Sequence, residues 1–306
     1  MTSSLSIVNC RLSIEEPALR ARWASRCGKL FNRQSIIDNS SQYRSRLVEC
    51  AVVDARQVEA LAARLQPHAS VTVLTGAGVS AASGVPTFRG PEGVWKRYRP
   101  EQLATPEAFA GDPKLVWEWY DWRRRRIRAC RPNRAHEVLA TWSRRYPSFT
   151  LVTQNVDGLH ERAATRNVIR FHGSIWEVAC WQRCSSAPPR WLDDTVPLTE
   201  LPLRCPYCSG LARPGVVWFG ESIDPDVLER SAAAARCDVF FTIGTSAVVY
   251  PAAGLVQRAR RQGAFTVEIN PEATPFSSAV DLCLAGSAEA VLDEVEAKLL
   301  EKRSQP

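Results

Sequence analysis

The chain has 306 residues, of which 45% are apolar, enough for one large α/β domain that carries a smaller insertion. Its formal net charge of +7 is concentrated near the N-terminus and in the run 123–128, so it does not favour a nucleic-acid partner. No apolar run approaches the roughly 18 residues of a membrane span, and the N-terminus lacks the apolar segment of a secretory signal. These features predict a cytoplasmic protein without a membrane partner.

Residues 1–55 show little periodicity and are rich in Arg and Ser. This composition favours an N-terminal extension that is disordered or partly helical. A mitochondrial transit peptide is the alternative, and the protein would then be mitochondrial. Residues 56–306 are predicted to form the folded part of the chain.

The folded part alternates between helical and strand-like patterns. Val58, Leu61, Ala62 and Leu65 recur at helical spacing before a first strand, which is predicted over 70–74. Further helices are predicted from near residue 106, around 135–146 and over 288–302. This alternation is typical of an α/β fold with a parallel sheet.

Five apolar, strand-like runs are each followed by a polar or glycine-rich motif. The runs end directly before Thr75, Thr153, Phe171, Gly244 and Ile269. Because the carboxyl ends of parallel strands share one edge of a sheet, we expect these motifs to form one active site.

The first motif is GAGVSAASGVPTFRG at 76–90. Gly76 and Gly78 would let the backbone turn tightly and approach a pyrophosphate, with the following helix directing free amides at the phosphates. A simple tight turn is the alternative. A hydride-transferring dehydrogenase would next present a strand ending in Asp or Glu, whereas 84–95 is rich in Gly and Pro. The motif therefore does not favour a dehydrogenase.

Two further motifs carry polar side chains to neighbouring strand ends. TQNVDGLH at 153–160 places Gln154, Asn155 and Asp157 where they could orient a ribose or a carboxamide, although Asn and Asp are also common helix caps. FHGS adds His172, whose ordinary pKa of about 6.5 lets it accept a proton from a ribose hydroxyl at neutral pH. A hydrogen-bonded structural histidine is the alternative for a lone residue of this kind.

Four of the ten cysteines form two closely spaced pairs, Cys180 with Cys184 and Cys205 with Cys208. This spacing is typical of a tetrathiolate zinc site. Four thiolates leave no open coordination position, so the zinc is expected to be structural. A redox-active disulfide pair is the alternative.

These motifs, together with RPGVVWFGE, GTSAVVYPAAG and INPE, resemble the sirtuin family of NAD-dependent protein-lysine deacylases over residues 56–306. The resemblance implies a Rossmann-like core at 56–95, 131–173 and 214–306, a helical acyl-selecting segment at 96–130 and an inserted zinc module at 174–213. The residues that it implies for NAD binding are Gly76, Ala77, Gly78, Ser80, Thr87, Phe88, Arg89, Trp95, Gln154, Asn155, Asp157, Gly244, Thr245, Ser246, Asn270, Pro271, Glu272 and Ala288.

The resemblance also implies a mechanism that consumes NAD. The acyl oxygen of the modified lysine would attack the ribose carbon that bears nicotinamide, and His172 would activate a ribose hydroxyl against the resulting alkylamidate. The products would be free lysine, nicotinamide and O-acyl-ADP-ribose. Acylated proteins or peptides would be the partners, paired with a strand at 216–221 through Val217, Phe219, Gly220 and Glu221.

One more pair of residues could determine which acyl group the site accepts. Tyr120 and Arg123 are three residues apart on a predicted helix and share a face, where a phenol and a guanidinium could grip a carboxylate. They resemble the pair that marks the class III sirtuins, which remove succinyl, malonyl or glutaryl groups as well as acetyl. Alternatively, Tyr120 is a core residue and Arg123 belongs to a solvated basic run.

Other functions remain open at this point. The same site could support mono-ADP-ribosyl transfer or plain deacetylation. A nucleic-acid-binding zinc protein is less favoured, because Asp193, Asp194 and Glu200 offset the basic residues between the cysteine pairs.

The sequence departs from the family pattern at two places. Three residues separate Cys180 from Cys184, where many relatives have two, and Ala82 stands where many sirtuins carry Glu.

Overall fold

The computed structural model of the protein describes residues 54–87 and 102–304. Almost all of the predicted extension lies outside these ranges, so its nature and the cytoplasmic location stay predictions. Within the described ranges, no helix has the length and hydrophobicity that crossing a bilayer requires. The helices are α1 (Ala55–Arg64), a 3-10 helix (Ala77–Ser83), α2 (Pro106–Gly111), α3 (Pro113–Ala129), α4 (Arg134–Arg145), α5 (Leu159–Arg162), α6 (Pro225–Ala234), α7 (Gly254–Arg261) and α8 (Ala288–Ser304).

Six strands form a parallel sheet in the order β3-β2-β1-β7-β8-β9. These strands are β1 (Ser70–Thr75), β2 (Ser148–Thr153), β3 (Val168–Arg170), β7 (Val239–Ile243), β8 (Phe265–Asn270) and β9 (Leu282–Ala285). The order confirms the predicted α/β fold with a doubly wound, Rossmann-like sheet.

Helices cover both faces of the sheet. Successive side chains of a strand point to opposite faces, so each strand contributes apolar side chains to two cores. On β1, Val71 and Val73 pack into a core that includes Val58 and Leu61 of α1 and residues of α4 and α8. Leu74 points to the other face, in a second core to which α7 contributes. The helical stripe predicted before β1 is therefore confirmed as the buried face of α1.

The predicted helical region after residue 106 is two helices. Asp112 ends α2 and also begins α3, since its side chain accepts a hydrogen bond from the Leu115 amide and Pro113 occupies the first turn. Proline has no amide hydrogen and fits only the first turn of a helix. Because α2 ends at this break, the axis of α3, which carries Tyr120 and Arg123, can differ in direction from that of α2.

A second, antiparallel sheet carries the cysteine module. It has the order β5-β4-β6, from β4 (Gly173–Cys180), β5 (Trp191–Leu192) and β6 (Ala212–Val216). The strand predicted over 216–221 is wrong beyond its first residue, because β6 ends at Val216. The Val217 amide still donates in register to the carbonyl of His172, the residue before β4, whereas the Phe219 amide donates to the carbonyl of Ala104, outside this sheet.

Candidate active site

The site lies where the strand order reverses. Moving along the chain, β2 and β3 add to one side of β1, while β7, β8 and β9 add to the other. The last residue of β1, Thr75, is in register with Thr153 of β2 and Ile243 of β7. Such a switch point leaves a crevice at the carboxyl ends of the strands, and a cavity of about 670 Å³ occupies this position.

The loops after β1 and β7 pack backbone against backbone in this crevice. The Gly78 amide donates to the Gly244 carbonyl at 2.7 Å. A Cβ on Gly76 would lie 2.7 Å from the Thr245 Cβ, and one on Gly78 would lie 2.7 Å from the Gly244 Cα. The glycines after β1 are therefore required for this close contact between loops. At Gly76 the backbone is extended, and the helix that follows is a 3-10 helix.

Most of the predicted binding residues lie together around this cavity. Those that line it are Gly76, Ala77, Gly78, Thr87, Gln154, Asn155, Gly244, Thr245, Ser246, Asn270, Pro271, Glu272 and Ala288, with His172, Tyr120, Arg123, Val217, Phe219, Gly220 and Glu221. Phe88, Arg89 and Trp95 lie outside the described residues. Ser80 and Asp157 are described, but they are not part of the lining.

Ser80 and Asp157 instead form a buried network behind the cavity wall. The Ser80 hydroxyl donates to Asp157 Oδ2 at 2.8 Å and accepts from Asn155 Nδ2 at 3.1 Å. Asp157 Oδ1 accepts from the Leu159 amide. Burial raises the pKa of Asp157, which these hydrogen bonds partly oppose. The network fixes Asn155, whose side chain also donates to the Gly76 carbonyl, so the loops after β1 and β2 are joined.

The geometry of His172 suits a general base. Its Nδ1 lies 3.1 Å from the Gln154 carbonyl oxygen, which can only accept, so Nδ1 carries the ring hydrogen. In the neutral ring the lone pair is then on Nε2, the nitrogen that can take a proton. Burial lowers the pKa of His172, against the opposing effect of this hydrogen bond. The ring therefore stays neutral at neutral pH and borders the cavity.

Tyr120 and Arg123, the pair predicted to select the acyl group, lie at the same cavity, on α3. Tyr120 is 2% exposed, and its hydroxyl accepts a hydrogen bond from Trp218 Nε1 at 3.0 Å. The Arg123 guanidinium lies 4.8 Å from the Trp119 ring centroid and 5.8 Å from that of Tyr120. Burial lowers the pKa of Arg123, while Tyr120 and Asp157 oppose the shift. A phenol and a half-buried guanidinium therefore meet at one wall of the cavity.

Several residues of the cavity wall were not predicted from the sequence. Trp119 and Trp218 both line the cavity beside Tyr120, and Ala81, Ala82 and Tyr250 line it elsewhere. Trp218 lies inside the RPGVVWFGE motif, so the motif was a signal for it. Trp119 is adjacent to Tyr120 on α3, where neighbouring residues point about 100° apart, and helical spacing alone gave no reason to select it.

The four paired cysteines form the predicted metal cluster. Their Sγ atoms all lie within 4.8 Å of one another, at 3.7 Å for Cys180 and Cys208 and 4.0 Å for Cys184 and Cys205. A tetrahedral zinc with bonds of about 2.3 Å requires sulfur atoms about 3.8 Å apart, whereas a disulfide requires about 2 Å. The four sulfur atoms therefore have the spacing of a structural zinc site, and none of these cysteines is in a disulfide.

Comparisons with known proteins agree with this geometry. A family model described as Sir2 family matches residues 76–251. A protein of Aquifex aeolicus (strain VF5) named NAD-dependent protein deacylase is 49% identical over 234 residues, which cover 76% of this chain and 96% of that protein. The chain belongs to the Sir2 family. The predicted family and an NAD-dependent enzyme are confirmed at this level.

Solved Sir2 structures share the fold. A Sir2 homologue in complex with NAD has a TM-score of 0.72 and 43% identity, covering 82% of this Sir2-family chain and 95% of the homologue. A Sir2 protein bound to a myristoylated histone peptide has a TM-score of 0.66 and 28% identity, covering 82% of this chain and 99% of that protein. The first of these agrees with NAD as the co-substrate.

Proposed function

We propose that the protein is an NAD-dependent protein-lysine deacylase that prefers acidic acyl groups such as succinyl and malonyl. The observation that carries this proposal is the joint position of His172, Tyr120 and Arg123 on one cavity. His172 would remove a proton from a ribose hydroxyl through Nε2, and the α3 pair would select the acyl chain. The products would be free lysine, nicotinamide and O-acyl-ADP-ribose.

The loops around the switch point would hold NAD. Gln154 and Asn155 lie at the end of β2 beside His172, where amide groups can orient a ribose or a carboxamide. Gly244, Thr245 and Ser246 after β7, with Asn270 at the end of β8, would contact the adenosine half. Asn270 donates from Nδ2 to the Thr245 carbonyl at 3.0 Å, which ties the loop after β7 to the end of β8.

The preference for an acidic acyl group follows from the cost of burying a cation. A guanidinium keeps its charge when desolvated, and burial works against that charge at Arg123. An acyl carboxylate would offset the cost by forming a charge-assisted, two-pronged hydrogen bond. A neutral acyl chain offers no such compensation. The site should therefore bind succinyl-lysine better than acetyl-lysine or butyryl-lysine.

The test compares succinyl, butyryl and acetyl versions of one peptide. Succinyl and butyryl chains have the same number of carbons and differ at the terminal carboxylate. We expect Arg123→Met to lower kcat/KM for the succinyl peptide by about 10- to 100-fold, the range for a charged hydrogen bond, with a much smaller change for butyryl. Arg125→Met is the matched control, because Arg125 is on the same helix but pairs with Asp121 away from the cavity.

Mass spectrometry identifies the reaction itself. The deacylase produces O-succinyl-ADP-ribose and free lysine, whereas a mono-ADP-ribosyltransferase transfers ADP-ribose to an acceptor without needing acyl-lysine. Absence of O-succinyl-ADP-ribose from the wild-type reaction would refute the acidic preference. O-acetyl-ADP-ribose as the dominant product would identify a plain deacetylase instead.

A further inference from the structure

The hydrogen bond between Trp218 and Tyr120 fixes which way the phenol can donate. Both side chains are 2% exposed, and Trp218 Nε1 lies 3.0 Å from the Tyr120 oxygen. An indole nitrogen can only donate, so the Tyr120 oxygen is the acceptor in this bond. The phenol hydrogen then remains available for an acceptor elsewhere, and both residues line the cavity.

Trp218 is itself held by a charged pair. The Arg213 guanidinium carbon lies 3.7 Å from the Trp218 ring centroid, a close cation–π contact. Arg213 also forms a two-pronged ion pair with Glu221, and Glu221 Oε2 accepts from the Trp218 amide at 2.8 Å. The indole plane and the Trp218 backbone are thus positioned by one pair of residues, which leaves the indole little freedom to rotate.

We infer that Trp218 is a specificity-determining positioning residue for acidic acyl groups. By donating to the Tyr120 oxygen, it directs the Tyr120 hydrogen toward a carboxylate that Arg123 also contacts. This inference rests on the proposed function, because it concerns the same acyl site. It adds a further property. Trp218 lies in the segment after β6, which borders the cavity, and its indole N–H would set how Tyr120 on α3 binds the acyl carboxylate.

The inference predicts a specific effect of removing that N–H. Replacing Trp218 by 3-benzothienylalanine puts sulfur in place of N–H and keeps the bicyclic ring, so packing against Arg213 is retained. We expect the ratio of kcat/KM for succinyl over butyryl peptide to fall about five- to tenfold, mainly through a higher KM for the succinyl peptide. Trp218→Phe should shift the ratio in the same direction.

The control is the same replacement at Trp181. That residue lies near Trp218 and Arg213, with ring centroids of the two tryptophans 6.4 Å apart, but it is not part of the cavity lining. The succinyl-to-butyryl ratio should stay unchanged there. A similar fall at both positions would mean a general packing effect and would overturn the inference.

A double-mutant cycle with Tyr120→Phe completes the test. Once the phenol oxygen is removed, the Trp218 replacement should have no further effect on the ratio. Independent, multiplicative effects of the two changes would overturn the inference. A different result would contradict the proposed function: a wild-type protein that does not prefer the succinyl over the butyryl peptide. The inference alone fails if that preference is present and survives the loss of the indole N–H.

Discussion

His172 and Gln154 are joined by a hydrogen bond between two strand ends: His172 Nδ1 lies 3.1 Å from the Gln154 carbonyl oxygen. The residues are 18 positions apart in the chain. The carbonyl fixes the hydrogen on Nδ1 and leaves Nε2 as the basic nitrogen. A main-chain contact therefore sets the protonation pattern that a general base needs.

Replacing this histidine should abolish deacylation. We expect His172→Ala to lower kcat by about 10²- to 10⁴-fold, the usual contribution of a general base, without a comparable change in thermal stability. The formation of O-acyl-ADP-ribose, followed by mass spectrometry, measures the effect. The control is His68→Ala, because His68 is exposed and is not part of the cavity lining. More than a tenth of wild-type activity in His172→Ala would contradict the assignment.

The pH dependence of the reaction should report the lowered pKa of His172. Burial favours the neutral ring, so the pKa lies below the ordinary value of about 6.5. As the pH falls through this pKa, the ring gains a proton, Nε2 can no longer act as a base, and activity is lost. We expect the acidic limb of kcat/KM for an acetyl peptide, whose acyl group does not titrate, to have its midpoint below pH 6.5. A midpoint above that value would exclude His172 as the group responsible.

The contact between the loops after β1 and β7 should make Gly244 intolerant of any side chain. Its φ is +58°, and a Cβ would lie 2.5 Å from the Val79 amide nitrogen. Gly263 also has positive φ, +88°, but a Cβ there would meet nothing within 4 Å. We expect Gly263→Ala to cost about 1 kcal/mol, the backbone term alone, and Gly244→Ala to cost clearly more. Denaturant unfolding of both variants measures the difference, and equal costs would contradict a clash.

Loss of one cysteine ligand should release zinc and destabilise the protein. Cys205 is 1% exposed within the cluster, and a serine hydroxyl is a poor substitute for a thiolate. We expect Cys205→Ser to contain far less than one zinc per chain by metal analysis and to melt at a lower temperature. Cys237→Ser is the control, since Cys237 lies outside the cluster, and it should retain full zinc. Full zinc content in Cys205→Ser would argue against a four-thiolate site.

The local elements were predictable because each depends on short-range patterns. The apolar runs before Thr75 and Gly244 became β1 and β7, and the stripe containing Val58 and Leu61 became the buried face of α1. The error over 216–221 has a physical cause. The apolar Val216, Val217 and Trp218 suggest a continuing strand, but after Val217 the chain leaves the sheet and the Phe219 amide bonds to the carbonyl of Ala104. Tertiary hydrogen bonds overrode the local preference.

The sequence by itself determined the family, the parallel α/β fold, the four-cysteine cluster and most of the residues around the cavity. It could do so because motifs at the carboxyl ends of parallel strands must meet at one edge. Only the tertiary structure decided that Gly76 and Gly78 are needed for contact with Gly244, that Asp157 lies behind the wall, and that Trp218 donates to Tyr120. These are contacts between distant segments, and their distances and hydrogen-bond directions are set by packing, which no local pattern encodes.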